Sequence, residues 1–156
     1  MTSMSDAVRV EAVKPTEETA VRLVAALWED IQQRYSFRGE NDMPPEEFSS
    51  EREFFLVATV TGQAAGCAGL HEYGEDFAEL NAMYVAPKFH GSGVARALIA
   101  AFEKRARELG YRIVRLRAGG QQPEALRFYQ KHGFYPIECF GKYADSSVSL
   151  CFEKAL

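Results

Sequence analysis

The chain has 156 residues, 47% of them hydrophobic, with a formal net charge of −4 and a pI near 5.5. That length and apolar content suit one domain spanning 1–156, ordered from about residue 7, with a single core; the acidic balance argues against nucleic acid or an anionic membrane as the main partner. No apolar run nears the length of a membrane span and Met1 to Asp6 has no basic or hydrophobic region of a signal peptide, so the expectation is a cytoplasmic protein without a membrane partner.

In chain order, Val8 to Val13 alternates as a first strand. Pro15-Thr16-Glu17-Glu18 opens a helix with Thr16 as the expected N-cap, and Leu23, Leu27 and Ile31 continue it at helical spacing. Arg34 to Ser50 holds Gly39, Pro44, Pro45 and the acids Glu40, Asp42, Glu46 and Glu47, the pattern of an exposed loop or a broken second helix. Phe54 to Val60 and Ala64 to Tyr73, joined at Thr61-Gly62-Gln63, read as a hairpin, and Phe77 to Val85 as the next strand. Val94 to Leu109 is an amphipathic helix with Gly110 as its C-cap. A strand at Tyr111 to Arg117, a short helix at Pro123 to His132 ended by Gly133, and late strands at Phe134 to Phe140 and Val148 to Glu153 complete an α/β pattern. Cys67, Cys139 and Cys151 are odd in number, widely spaced and set in apolar sequence, so free buried thiols are expected rather than a disulfide or a metal site.

Between the Phe77 to Val85 strand and the helix at Val94 stands Lys88-Phe89-His90-Gly91-Ser92-Gly93. Glycines at a helix entrance leave the first backbone N–H groups approachable, and those orphan donors, with the positive end of the helix dipole, suit a pyrophosphate. Ser92 offers a hydroxyl. A P-loop would need Gly-Lys-Ser/Thr where Gly93-Val94-Ala95 stands. A dinucleotide fold would place the glycines in its first strand-helix unit and an acid at the end of a second strand; here Glu108 falls inside the helix.

The arrangement Val85-x-Pro87-x-x-His90-Gly91-x-Gly93-Val94-Ala95-x-x-Leu98, followed by Ala125-x-x-x-Tyr129-x-x-x-Gly133-Phe134, resembles the GCN5-related N-acetyltransferase (GNAT) superfamily over most of the chain. The block Gln122-Pro123-Glu124-Ala125, with Phe140-Gly141-Lys142-Tyr143, looks like a subgroup of small bacterial acetyltransferases. The resemblance implies a mixed, mostly antiparallel central sheet of about seven strands flanked by about four helices, and acetyl-CoA as donor with no metal. It also implies a cofactor site at Met83, Tyr84, Val85, Lys88, His90, Gly91, Ser92, Gly93, Val94, Ala95, Gln122 and Tyr129. Two positions depart from the family pattern. Lys88 stands where the signature has Arg or Gln, and Gln122 where members often have Asn; each keeps a cation or an amide on a different arm.

Acetyl transfer to an amine needs a neutral nucleophile, a polarised thioester carbonyl and a proton for the departing sulfur. By the resemblance, the Val85 N–H polarises the carbonyl, Met83 and Val85 pair with the pantetheine arm as an added strand, and Tyr129 is the general acid. Strand alternation places residues 79, 81, 83 and 85 on one face, which makes Glu79 the candidate base, directly or through water, with His71 and Glu72 as alternatives. The family builds its acceptor pocket from the first helices and a late loop, here Trp28, Tyr35, Phe37, the stretch Glu40 to Glu47 and Tyr143. Acids with aromatics point to a small cationic amine, within the broader class of small-molecule or peptide amines. A protein that binds acyl-CoA without turnover is the alternative reading, a nucleotide-binding regulator the weaker third, and a homodimer through the late strands is compatible with the sequence.

Overall fold

The computed structural model describes residues 8–39, 48, 50–73, 77–141, 144 and 149–156. Among the described residues seven strands form one sheet in the order β1-β2-β3-β4-β5-β7-β6. They are β1 (Val8–Val13), β2 (Phe54–Val60), β3 (Gln63–Tyr73), β4 (Phe77–Val85), β5 (Ile113–Gly119), β6 (Tyr135–Ile137) and β7 (Ser149–Ala155). All neighbours are antiparallel except β4 and β5, which helix α2 (Val94–Glu108) joins as a crossover. Helices α1 (Glu18–Tyr35) and α3 (Pro123–Lys131) stand with them among the described residues, and Pro87–Phe89 forms a 3₁₀ turn. The expectation of about four helices is corrected: among the described residues there are three α-helices, and 40–47, where a second early helix was expected, lie outside them.

The sheet separates two cores. Beneath α2 and α3, Leu56, Ala58, Leu70, Ala78 and Leu80 pack against Val94, Leu98, Phe102 and Tyr129. Beneath α1, Ala20, Leu23, Val24 and Leu27 pack on Phe55, Val57, Cys67 and Ala82. Each helix buries one stripe, as the i, i+3, i+4 spacing of its apolar residues requires.

Helix α1 begins one residue later than Thr16 would place it. The Glu17 N–H donates to the Lys14 carbonyl at 2.9 Å, which puts Thr16 inside a turn, and Glu17 is the N-cap without a side-chain cap. At the other end α1 runs through Arg34 and Tyr35, which the loop composition downstream had drawn into the loop, and stops at Ser36 in the left-handed conformation. The penultimate strand is three residues, Tyr135–Ile137, not the whole of Phe134 to Phe140.

The thiol expectation is corrected too. Cys139 and Cys151 form a disulfide with their Cα atoms 5.1 Å apart, because β6 pairs Ile137 with Cys151 and so brings Cys139 beside the same strand. Cys67 is the free cysteine. It is buried, donates to the Ala82 carbonyl at 3.2 Å, and burial pushes its thiol well above the ordinary range.

Candidate active site

β4 is not a regular strand. Asn81 pairs with Gly69 and Tyr84 with Cys67, so three steps on β4 match two on β3, and Ala82 takes up the extra residue at φ 55°. Before this bulge Ala78 and Leu80 point into the core under α2; after it Met83 and Val85 do so, while Ala82 and Tyr84 point toward α1. Residues 79, 81, 83 and 85 therefore do not share a face. Glu79 and Asn81 belong to the α1 side, and the simple alternation that grouped them with Met83 and Val85 is overturned by one inserted residue.

Beyond Glu79 and Arg115 the parallel pairing of β4 and β5 stops, and the strands part. Two cavities open at the gap, of about 460 and about 450 Å³. The first runs from Met83, Tyr84 and Val85 past His90, Gly91 and Gly93 to Arg96 on α2 and Lys131 and His132 at the end of α3. The second lies between α1 and the sheet, lined by Trp28, Ile31, Tyr35, Phe37, Glu79, Asn81 and Arg117. Leu27, Met83, Gln122, Ala125 and Tyr129 line both, so the cavities meet in the gap.

The backbone of the first cavity carries donors at both ends. Ala86 N–H donates to Ala65 on β3 at 2.8 Å. Consecutive strand N–H groups point to opposite sides, so Val85 N–H faces the gap. The Val85 carbonyl faces the same way and accepts from His90 Nε2 at 2.9 Å, which fixes the proton of a neutral His90 on Nε2. Further along, Gly91 and Gly93 sit at φ 81° and 86°, conformations that L side chains rarely adopt, and nothing lies within 4 Å of where a Cβ would be. The first intrahelical bond of α2 is Ala97 N–H to Gly93 carbonyl at 3.0 Å, which leaves the N–H groups of Val94, Ala95 and Arg96 without helical partners. An anion fits this end: it has orphan donors and the helix dipole, and Arg96 and Lys131 line it. Depressed by burial and by Lys154 and Lys131 nearby, the His132 pKa keeps that imidazole neutral near pH 7.

Two residues expected at the cofactor end are occupied elsewhere. Lys88 donates to the Gln63 side chain at 2.7 Å and does not line the cavity. The Ser92 hydroxyl donates to the Phe89 carbonyl and holds the turn instead of facing the cavity. Arg96 and Lys131, which sequence reasoning missed, line the cavity at this end; Arg96 was findable as the third residue of the helix behind the glycines, whereas Lys131 required the packing of α3.

At the junction Tyr129 is 7% exposed, wedged edge-on between Phe128 and Phe134 at 5.6 Å each, and burial raises its phenol well above the usual tyrosine range. Gln122 turns its side-chain carbonyl to the Gly119 N–H at 3.2 Å, closing the loop before α3. Across the gap Arg34 ties α1 to that loop: it bonds Asp30 at 2.8 Å, the Gln121 carbonyl at 2.8 Å and Glu124 at 2.6 Å. Tyr35 Oη accepts from Gln121 N–H at 3.2 Å.

Glu79 is 4% exposed and lines the second cavity. Its alternatives line neither: His71 faces Glu53 at 2.7 Å, and Glu72 pairs with Arg52 at 3.2 Å. Trp28, Tyr35 and Phe37 stand where the acceptor pocket was expected, with Trp28 and Phe37 edge to face at 5.5 Å. The acidic stretch Glu40, Asp42, Glu46 and Glu47, and Tyr143, lie outside the described residues. Among the described residues no cluster of His, Cys, Asp and Glu is arranged to hold a metal, and no helix is long and apolar enough to cross a membrane.

Residues 23–134 match the model of the acetyltransferase (GNAT) family. The chain is 27% identical over 150 residues to an IAA acetyltransferase of Azospirillum brasilense, covering 96% of this chain and 98% of that protein. A Klebsiella pneumoniae protein of the acyl-CoA N-acyltransferase type has the same fold at a TM-score of 0.79 and 26% identity, over 96% of this chain and 97% of that one. A GNAT acetyltransferase of Elizabethkingia anophelis, solved with acetyl-CoA bound, shares the fold at a TM-score of 0.70 and 16% identity, over 97% and 99% of the two chains.

Proposed function

The chain belongs to the acetyltransferase (GNAT) family and is an acyltransferase that moves an acetyl group to an amine; from that premise we propose that the first cavity holds acetyl-CoA and the second the primary amine of a small molecule or peptide. The observation that carries this reading is that the two cavities meet at Met83 and Tyr129, inside the gap between β4 and β5. Such a gap exposes strand main chain on one side and admits an acceptor from the other. The catalytic unit is then one domain built on one sheet, and we place it in the cytoplasm.

Bound there, acetyl-CoA supplies an acetyl group already activated as a thioester. The Val94, Ala95 and Arg96 N–H groups, with Arg96 and Lys131, hold its phosphates at the entrance of α2. Met83 and Val85 offer strand main chain to the pantetheine arm. Val85 N–H, facing the gap, donates to the thioester oxygen, and the His90 bond to the Val85 carbonyl keeps that peptide in place. Glu79 accepts the proton that the amine loses, directly or through a water. Tyr129, held neutral by burial, donates its Oη proton to the departing sulfur. The bulge at Ala82 lets one strand serve both ends: Glu79 reaches the acceptor side, while Met83 and Val85 reach the donor side.

Thermal unfolding with acetyl-CoA, CoA, ATP and NADH in parallel tests the cofactor assignment. Saturation at one hundred times Kd adds about 2.7 kcal/mol and several degrees. A shift with acetyl-CoA and CoA alone is expected; equal shifts with ATP or NADH, or none with CoA, would refute it.

A further inference from the structure

Helix α3 carries Tyr129 to the junction of the two cavities, and of its nine residues it buries that one alone. Its C-terminal half is anchored on the core. Phe128 and Phe134 flank the Tyr129 ring, and the Phe134 N–H donates to the Tyr129 carbonyl at 3.0 Å. Pro123 and Glu124 at its N-terminal end are exposed, so apolar packing does not fix that end.

Polar contacts from the last turn of α1 do. Each guanidinium nitrogen of Arg34 has a partner: Nε donates to Asp30 on its own helix at 2.8 Å, Nη1 to the Gln121 carbonyl at 2.8 Å and Nη2 to Glu124 at 2.6 Å. Tyr35 takes the other side of the same loop residue. Its Oη accepts from the Gln121 N–H at 3.2 Å, and it lies so close to Gly119 that a Cβ there would overlap it. Gln121 is thus held through both its N–H and its carbonyl by consecutive residues of α1, one position before Gln122, the N-cap of α3. The guanidinium is planar, so the Nε bond to Asp30 fixes the direction of the other two. The Arg34 side chain is 30% exposed, and a single ion pair at such a site contributes little to stability; three directed bonds from one fork contribute orientation.

We propose, on the reading that Tyr129 protonates the departing sulfur, that Arg34 is a positioning residue for the reaction: by gripping Gln121 and Glu124 it sets the N-terminal end of α3, and through that helix the Tyr129 hydroxyl. Arg34, Asp30 and Glu124 line the first cavity, but each Arg34 nitrogen already donates to the protein, so its effect on the sulfur passes through Tyr129. Leu27, Trp28, Ile31 and Tyr35 of the same helix line the second cavity. One helix carries both a wall of that cavity and the clamp on the acid.

The test is a double-mutant cycle of Arg34→Met with Tyr129→Phe. CoA release from acetyl-CoA is measured with the best amine of a panel of polyamines, aminoglycosides and amino acids, and CoA affinity by calorimetry. Arg34→Met alone is expected to lower kcat about ten-fold with Kd for CoA within about two-fold of wild type, and to lower kcat less than about two-fold in the Tyr129→Phe background. Arg34→Lys, which keeps the charge without the fork, recovers only part of the loss. Hydrogen exchange needs no acceptor: peptides covering α3 should exchange about ten-fold faster in Arg34→Met, and those of α2 at the wild-type rate. If Arg34→Met fails to fold, Arg34→Lys and Glu124→Ala run the same cycle. Equal losses of kcat in both backgrounds, or unchanged protection of α3, would overturn the proposal and leave acetyl transfer standing. A CoA affinity that falls as far as kcat would also overturn it, making Arg34 a cofactor contact. No thermal shift with acetyl-CoA, and no CoA release with any amine, would overturn the cofactor reading and the proposal with it.

Discussion

Glu79 and Val85 stand on opposite faces of β4 although their positions differ by six, an even number. Ala82 is the cause, since it sits at φ 55° opposite no residue of its own on β3 and inverts the alternation for everything after it. The strand thereby presents a carboxylate to the α1 side and main chain not paired with β5 to the gap, and the two meet only where β4 and β5 part.

Ala82 holds a conformation that costs a residue with a Cβ about 1–2 kcal/mol, and a branched side chain more. Ala82→Val is expected to lower stability by about 2 kcal/mol or more and to abolish turnover, while Ala82→Gly stays within about 1 kcal/mol of wild type, relief of strain offsetting the lost methyl. Chemical denaturation reads both. A valine variant as stable and active as the parent would mean that the bulge does not set the site.

Tyr129→Phe is expected to keep the fold and the thermal shift with acetyl-CoA but to lower kcat by about ten-fold or more. Because burial raises this phenol, its ionisation falls above the ordinary value of about 10, and the wild-type rate should show no tyrosine limb between about pH 6 and 9. Undiminished kcat in the phenylalanine variant would remove Tyr129 from the chemistry and leave it as packing against Phe128 and Phe134.

Gly93→Ala adds a methyl that meets no protein atom within 4 Å, so the penalty in the unliganded protein is confined to the backbone at φ 86° and should be about 1 kcal/mol. Acetyl-CoA affinity should fall much further, because that methyl stands at the entrance where a phosphate approaches the main chain. Calorimetry with CoA measures it, and an unchanged Kd would move the phosphates away from α2.

Glu153 accepts from Tyr135 Oη at 2.6 Å and pairs with Arg115 at 2.7 Å, and these partners, the tyrosine first, hold its carboxyl below the usual value. A pKa lower in the folded than in the unfolded chain means stability present above the unfolded value and lost as pH falls through the folded one. Glu153→Gln should therefore lower the unfolding free energy by about 1 kcal/mol at neutral pH and converge with wild type as pH falls from the ordinary carboxylate value through the lower folded one. A deficit that persists undiminished in acid would assign the effect to packing.

The strands, the helix at Val94–Glu108 and the glycine turn before it were legible because each is written locally, in alternation, in i, i+3, i+4 spacing, and in residues that tolerate positive φ. The same locality made Gly91, Gly93, Val85 and Tyr129 stand out as a resemblance to a family. It misled at Glu79, whose face was inferred from an alternation that one residue interrupts, and at Lys88, whose nearest partner is Gln63 across a neighbouring hairpin. Cys139 and Cys151 looked unpaired because only the β6–β7 register brings them together.

The sequence by itself determined the elements, the cradle at the head of α2 and the family. Tertiary structure decided which residues line the gap: Arg96 and Lys131 in the first cavity, Glu79 and Arg117 in the second, and Arg34 tying α1 to the loop before α3. The physical reason is that periodicity fixes a residue's face only while the register is unbroken. Contacts between segments some ninety residues apart, such as Arg34 with Glu124, depend on how the strands pair and part, which no local pattern records.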